Sequence, residues 1–349
     1  MKEVILSVKN LTIHYPIKMK VKGKIWSQKN CVQAVNGVSF DVFKGETLGI
    51  VGESGCGKST TGRAIVRLEH PTSGEILFKG EDVWKYNKEQ LFQYRKKAQM
   101  IFQDAYSTLD PRFTIGKSIC EPMVIHEIGN HGENEAAAKQ LMRDVGLPDS
   151  YYDRYPHEFS GGQRQRIGVA RALALNPEIL VCDEPVSALD VSVQAQILNL
   201  MKELQEKFSL TYIFISHNLS VVKHLCDRIG VIYLGNMVEL ADKKELFDNM
   251  LHPYTRALIS AIPIPDPEFK RNRIILEGDV PTPINPPAGC PFATRCIYAT
   301  ELCRKEKPAL ENIGNGHYVA CHIYGSGETE MAKQMAEAKI TPPSKESLL

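Results

Sequence analysis

Apolar residues in this chain come in short bursts cut by glycine, proline and polar turns. Residues 4–15, Val-Ile-Leu-Ser-Val-Lys-Asn-Leu-Thr-Ile-His-Tyr, read as an opening strand and 32–43 as a second. Thr47 to Val51 is an apolar run bounded by Gly45 and Gly52, the pattern of a parallel strand buried on both faces. A helix is expected from about Lys58 to Leu68, stopped by the turn Pro71-Thr72-Ser73-Gly74. The stretch 116–175 reads as mainly helical, with Ala136, Ala137, Ala138, Leu141 and Met142 at helical spacing. Ile179 to Cys182 is a further all-apolar strand, and Val193, Ile197, Leu200, Met201, Leu204 and Phe208 then follow a period of about 3.6. Thr211 to Ser216 and Ile229 to Leu234 read as strands. Strands and helices in alternation predict an α/β sheet with helices on its faces.

From Pro263 the texture changes. Prolines at 263, 265, 267, 281, 283, 286, 287 and 291 mark a linker and a small loop-rich module. The expected division is 1–262 for the main domain, 263–325 for the module and 326–349 for a polar, disordered tail.

Composition narrows the classes without choosing one. The 349 residues carry 42 basic against 41 acidic side chains, with 43% apolar and 24% charged. This excludes a fibrous or disordered chain and gives no reason to expect nucleic acid as a partner. No stretch nears the ~18 apolar residues of a membrane span, and the start reads as mature protein without a signal peptide. Nine cysteines, most of them scattered singly, suit reduced thiols or a metal site better than a disulfide framework. Lys18, Lys20, Lys22, Lys24 and Lys29, with no acid among them, read as a solvated arm or as a contact to an acidic partner or lipid surface.

The chemistry begins at Gly52-Glu53-Ser54-Gly55-Cys56-Gly57-Lys58-Ser59-Thr60, between a strand and a helix. Glycines let successive N–H groups face one concavity, and a helix N-terminus adds its positive end. Lys58 is placed to reach β- and γ-phosphates, and the Ser59 hydroxyl to ligate Mg²⁺. The plain alternative is a structural glycine turn, and Cys56 within the loop reads as a small filler in preference to a reactive thiol. Asp183 and Glu184 end an apolar strand, where open α/β sheets place ligands. Asp183 can hold Mg²⁺ through water and Glu184 can take a proton from an attacking water, although an acidic pair there also suits a helix N-cap.

Phe159-Ser160-Gly161-Gly162-Gln163-Arg164-Gln165-Arg166, ahead of a helix and upstream of Asp183, resembles the signature of the ATP-binding cassette ATPases, with matching order and spacing across 4–250. The resemblance implies an α/β cassette fold: a P-loop NTPase core sheet, an antiparallel β subdomain and a helical subdomain, plus a small Cys-rich C-terminal module. It implies that Gly52, Ser54, Gly55, Cys56, Gly57, Lys58, Ser59 and Thr60 bind ATP and that Tyr15 stacks on adenine. Gln103 would sense Mg²⁺ and the attacking water, and His217 would meet the γ-phosphate. Ser160, Gly161, Gly162 and Gln163 would face the nucleotide of a second subunit. Asp190, in Ser187-Ala188-Leu189-Asp190, would link the two sites. Taken singly, Gln103 could be a loop amide, Tyr15 an edge-strand aromatic and His217 a capping residue.

The segment from Gln103 to Arg112 resembles the peptide-importer group, with Ala105 and Asp110 where that group usually carries Pro and Asn. His252-Pro253-Tyr254-Thr255-Arg256-Ala257-Leu258 and the stretch from Pro263 to about His322 also match, and the lysine-bearing insertion is more typical of the "F" than the "D" subunit. The partners implied are a D-type cassette subunit, two transmembrane permease subunits and, indirectly, an extracytoplasmic peptide-binding protein. The implied place is the cytoplasmic face of the membrane, peripherally.

Cys290, Cys296, Cys303 and Cys321 fall within 32 residues, too widely spaced for the usual zinc pairs. Their spacing suits an iron–sulfur cube about as well, and the resemblance implies a [4Fe–4S] cluster, with Zn²⁺ or unligated thiols as alternatives. Cys31, Cys120, Cys182 and Cys226 read as buried small residues. The rival functions are import of nickel or glutathione, a soluble cassette acting on DNA or ribosomes, and an electron-transfer protein. The second lacks the heptads or doubled P-loop it would need, and the third leaves the motifs between 160 and 190 without a role.

Overall fold

The computed structural model describes residues 2–19, 28–262 and 273–324. Lys20, Lys22 and Lys24 of the lysine arm, prolines 263, 265 and 267, and the expected tail at 326–349 lie outside the described residues.

The chain opens with β1 (Val4–Met19), β2 (Gln28–Phe43) and β3 (Thr47–Val51), then α1 (Lys58–Ile65). β4 (Ser73–Phe78), β5 (Glu81–Asp82), α2 (Lys88–Lys97) and β6 (Ala98–Ile101) follow. The helical stretch holds α3 (Ala105–Thr108), α4 (Ile115–Ile125), α5 (His131–Asp144) and α6 (Gly161–Leu173). Next come β7 (Ile179–Asp183), α7 (Val191–Phe208), β8 (Thr211–Ser216), α8 (Leu219–Leu225), β9 (Arg228–Tyr233) and β10 (Asn236–Asp242). α9 (Lys243–Asp248) and α10 (Pro253–Ser260) precede the C-terminal α11 (Glu301–Lys305), β11 (Glu311–Asn312) and β12 (Tyr318–Val319).

Among the described residues these strands make two sheets, ordered β2-β1-β4-β5 and β11-β12-β10-β9-β3-β8-β7-β6. The smaller is antiparallel, whereas β6, β7, β8, β3 and β9 run parallel. Their continuous apolar runs have a direct cause. Leu180, Cys182, Tyr212 and Phe214 enter the core shared with the helical region, while Ile179, Val181, Ile213 and Ile215 enter the core shared with the antiparallel sheet. Both faces are covered, so alternation has no solvent side to show.

The structure departs from expectation at a helix end, at one strand and at two cysteines. α1 ends at Ile65 because Arg67 turns to φ +63°, its guanidinium 4.0 Å over the Trp84 ring and donating to the Val83 carbonyl, which leaves Leu68 exposed. β10, absent from the sequence reading, returns from β9 through Leu234 and Gly235, both at positive φ, in a tight turn whose leucine hides the usual hairpin signal. Cys182 and Cys226 are fully buried as expected, but Cys31 and Cys120 are only half-buried. β12 hydrogen-bonds to β10, pairing Val319 with Glu239 and Tyr318 with Leu240, so the C-terminal segment extends the main sheet.

Candidate nucleotide site

The parallel strands β3, β7 and β8 and the neighbouring β6 deliver their C-terminal ends to one side of the sheet. A cavity of about 480 Å³ opens there, lined by Ser54, Gly55, Gly57, Lys58, Ser59, Thr60, Gln103, Glu184 and His217, together with Ala34. Its floor is the loop from β3 to α1. Two glycines in that loop have no substitute: a Cβ on Gly52 would sit 2.1 Å from the Ile232 carbonyl oxygen, and one on Gly57 2.0 Å from that of Ala34. Gly57 is also the N-cap of α1, at φ +97°, and no side chain caps the helix. That helix end faces the cavity with its dipole available to an anion.

Lys58 is buried, its Nζ donating to the carbonyls of Gly52 and Glu53 at 2.9 Å each. Cys56 lies beside it, buried, with burial holding its thiol above the ordinary range, which agrees with a filler. Ser59 Oγ donates to Asp183 Oδ1 at 2.6 Å. Burial pushes the Asp183 carboxyl up, opposed by the Ser59 hydrogen bond and by Arg63. A hydroxyl and a carboxylate meeting at the phosphate loop are oxygen donors of the type Mg²⁺ takes, so the residues fit that ion.

Glu184 is the most constrained member. It holds φ +47°, a region bulky residues avoid, and its N–H donates to the Ile215 carbonyl. The turn aims its carboxylate between Gln103, whose Nε2 donates at 3.0 Å, and His217, whose Nδ1 lies at 3.0 Å. Asp183 and Glu184 are therefore not a helix cap. Neither is His217, since Asn218 Oδ1 caps α8 by accepting from the Ser220 N–H.

Two family models match the chain: one described as ABC transporter over residues 35–187, and one as the C-terminal region of the oligopeptide/dipeptide transporter over 238–303. The oligopeptide transport ATP-binding protein AppF of Bacillus subtilis is 53% identical over 92% of this chain and 98% of its own. The corresponding OppF protein of Haemophilus influenzae is 50% identical over 92% and 97%. The chain belongs to the oligopeptide transport ATP-binding proteins. A dimeric ATP-binding cassette, MJ0796, in a post-hydrolysis state bound to ADP and Pi, matches with a TM-score of 0.59 and 28% identity over 68% of this chain and 98% of that one. CbiO1 from Clostridium perfringens, at 24% identity and a TM-score of 0.60, shares the fold.

In this ABC ATPase the remaining expected residues are not among those lining the cavity, although Tyr15 lies beside Thr60, which does line it. Tyr15 lies on β1 beyond the stretch that pairs with β4, which ends at Thr12, so there the strand is bonded on one side only, to Val32 of β2, and the ring has the edge position that the sequence allowed. Its hydroxyl donates to Glu69 at 2.6 Å, and burial with that carboxylate raises its pKa to about 12. Ser160 is the N-cap of α6: its Oγ accepts from the Gln163 N–H while Gln163 Oε1 accepts from the Ser160 N–H. The helix start expected to stand open is thus partly closed on itself. Gly161 and Gly162 face Leu189 and Val193, where a Cβ on Gly162 would come within 2.5 Å of Val193. Asp190 caps α7 and accepts from Ser192 and Val193, which hold its carboxyl below the usual range.

Cys290, Cys296, Cys303 and Cys321 border one small cavity of about 20 Å³, with His252, Phe292 and His322. Burial raises the thiols of Cys290, Cys296 (to about 11) and Cys321 (to about 12). Four thiols are the right donors for a cluster or zinc. As placed, however, no group of three or more His, Cys, Asp or Glu among the described residues stands close enough to hold a metal. No helix among them is long and apolar enough to cross a membrane. Sequence reasoning missed Ala34 in the cavity wall, and also Tyr254 and Arg295, which touch Glu53 of the phosphate loop.

Proposed function

We propose that this chain binds and hydrolyses ATP to energise the import of dipeptides or oligopeptides through two transmembrane permease subunits, supplied by an extracytoplasmic binding protein. The observation that carries this is the convergence of Lys58, Ser59, Gln103, Glu184 and His217 on one cavity. The glycine loop and α1 take the phosphates, and Lys58 moves its amine onto the β- and γ-oxygens. Glu184, steadied by Gln103 and His217, accepts a proton from water as the water oxygen bonds to the γ-phosphorus and the bond to the β-phosphate oxygen breaks. Ser59, Asp183 and Gln103 would hold Mg²⁺, which when bound offsets charge on the phosphate oxygens. His217 donates to the γ-phosphate, and Tyr15 offers its ring to adenine.

Ser160, Gly161, Gly162 and Gln163 lie outside this cavity, which supports assigning them to the nucleotide of a second, D-type cassette subunit, with Asp190 in the loop that links the two sites. The nucleotide-binding domain spans about 1–262 and the C-terminal module 263–325, and the protein sits peripherally on the cytoplasmic face of the membrane. Cys290, Cys296, Cys303 and Cys321 would be the ligands of a [4Fe–4S] cluster ahead of Zn²⁺, a reading supported by four thiols bordering one cavity and one that requires them to draw closer than they stand here. Counting iron, sulfide and zinc in anaerobically purified protein tests this, and metal-free protein would overturn it. For the main reading, Glu184→Gln should bind ATP and turn over at least about a hundredfold more slowly. Near-normal turnover would remove Glu184 as the base.

A further inference from the structure

Glu53, the second residue of the phosphate loop, is held at three points. Its N–H donates to Tyr254 Oη at 2.9 Å, its carbonyl accepts from Lys58, and its two carboxylate oxygens accept from Arg295 Nη1 at 3.1 and 3.3 Å. Arg295 belongs to the loop between Cys290 and Cys296, 242 residues away along the chain. It is not a swinging surface arginine. Its side chain is 9% exposed, and its N–H donates to the Phe292 carbonyl. Phe292 packs on both Tyr233 and Tyr254, with ring centroids 5.2 and 5.5 Å apart. The aromatic cluster thus fixes Tyr254 and the backbone carrying Arg295 in one piece.

Two consequences meet at Glu53. Gly52 at φ +155° and Gly55 at φ +76° flank it, so the loop's own backbone resists rearrangement weakly. An anchor on the side chain between them pre-organises the N–H groups that receive phosphate, which lowers the ordering cost of binding. The second consequence is charge. An unpaired carboxylate in a loop that receives a triphosphate repels it, and the guanidinium neutralises that carboxylate.

We propose that Arg295, acting through Glu53, is a positioning residue for ATP binding. The C-terminal module thereby sets the affinity of the phosphate loop in its own chain. This rests on the reading of the cavity as the nucleotide site.

The test uses the full chain and measures ATP affinity together with KM and kcat. Arg295→Met should weaken ATP binding and raise KM about tenfold while kcat stays within about twofold. Arg295→Lys should restore part of the loss, since it returns the charge without the fork. Adding Glu53→Gln to Arg295→Met should recover most of it by removing the stranded carboxylate, an outcome that general destabilisation would not give. If Arg295→Met does not fold, Arg295→Lys carries the test, with KM expected to rise about threefold. Unchanged ATP affinity in the folded variants, or no recovery in the double variant, overturns the proposal. Lys58→Ala separates the two failures. If it too binds ATP normally, the nucleotide-site reading falls. If it loses binding while Arg295 variants keep it, only the role of Arg295 falls.

Discussion

The phosphate cavity and the C-terminal segment after residue 273 are held in place by different means. The cavity is made where several buried parallel strands end together, and its polar residues are short extensions of a continuous apolar core. Residues 273–324 of the C-terminal segment hold two short strands and one five-residue helix. It is fastened to the cassette by the short pairing of β12 on β10 and by polar and aromatic contacts: Arg295 to Glu53, Lys307 Nζ to the Asn36 carbonyl, His317 to Glu239, and Phe292 among Tyr233, Tyr254 and His252. A region without a core of its own can be displaced by a single side chain. A region at the ends of a core sheet should resist that.

The largest test of the contrast is Phe292→Ala. Phe292 is 1% exposed, and its truncation should cost about 3–5 kcal/mol. If the regions differ as described, proteolysis should cut within 273–324 while the unfolding of the remaining cassette shifts little. Equal loss in both would make them one cooperative unit.

A smaller effect follows from His317, buried with its Nε2 2.8 Å from Glu239 Oε1 and its Nδ1 3.5 Å from Glu245. Burial alone would lower its pKa, but the combined pull of Glu239 and Glu245 outweighs it and the pKa is raised above 6.5. The sign follows. The charged ring contributes its full stabilisation below 6.5, and the contribution is lost as pH rises through the higher folded value. Hydrogen exchange at Tyr318 and Val319, corrected for intrinsic rates, should therefore speed up as pH rises. The β3 amides should not follow, and His317→Gln should abolish the trend. The smallest effect belongs to Lys305 and Glu301, 4.0 Å apart and both largely exposed. Lys305→Ala should change stability by less than about 0.5 kcal/mol, and a larger loss would mean α11 leans on its surface charges.

The same contrast governs what could be read from the chain. The phosphate loop is nine consecutive residues whose spacing is its mechanism, so Lys58 and Ser59 were legible. Asp183 and Glu184 were legible because they end an unmistakable apolar run. The clamp of Gln103 and His217 on Glu184 needs three strand ends side by side, which no local pattern states, although the family resemblance supplied the residues. Arg295 to Glu53 and His317 to Glu239 join positions 242 and 78 residues apart through single side chains, and nothing in either neighbourhood advertises the other. β10 escaped because an all-buried strand entered by a Leu-Gly turn looks like an extension of β9.

The pairing of β12 on β10 bears on any attempt to trim this protein. Cutting the chain before Glu311 would uncover backbone donors and acceptors at Glu239 and Leu240 and leave the Glu239 carboxylate with the Leu251 and His252 N–H groups but without the imidazole of His317. A bare sheet margin of that kind is a template for sticking to other chains. The shortened cassette would be expected to aggregate before its catalytic competence could be assayed.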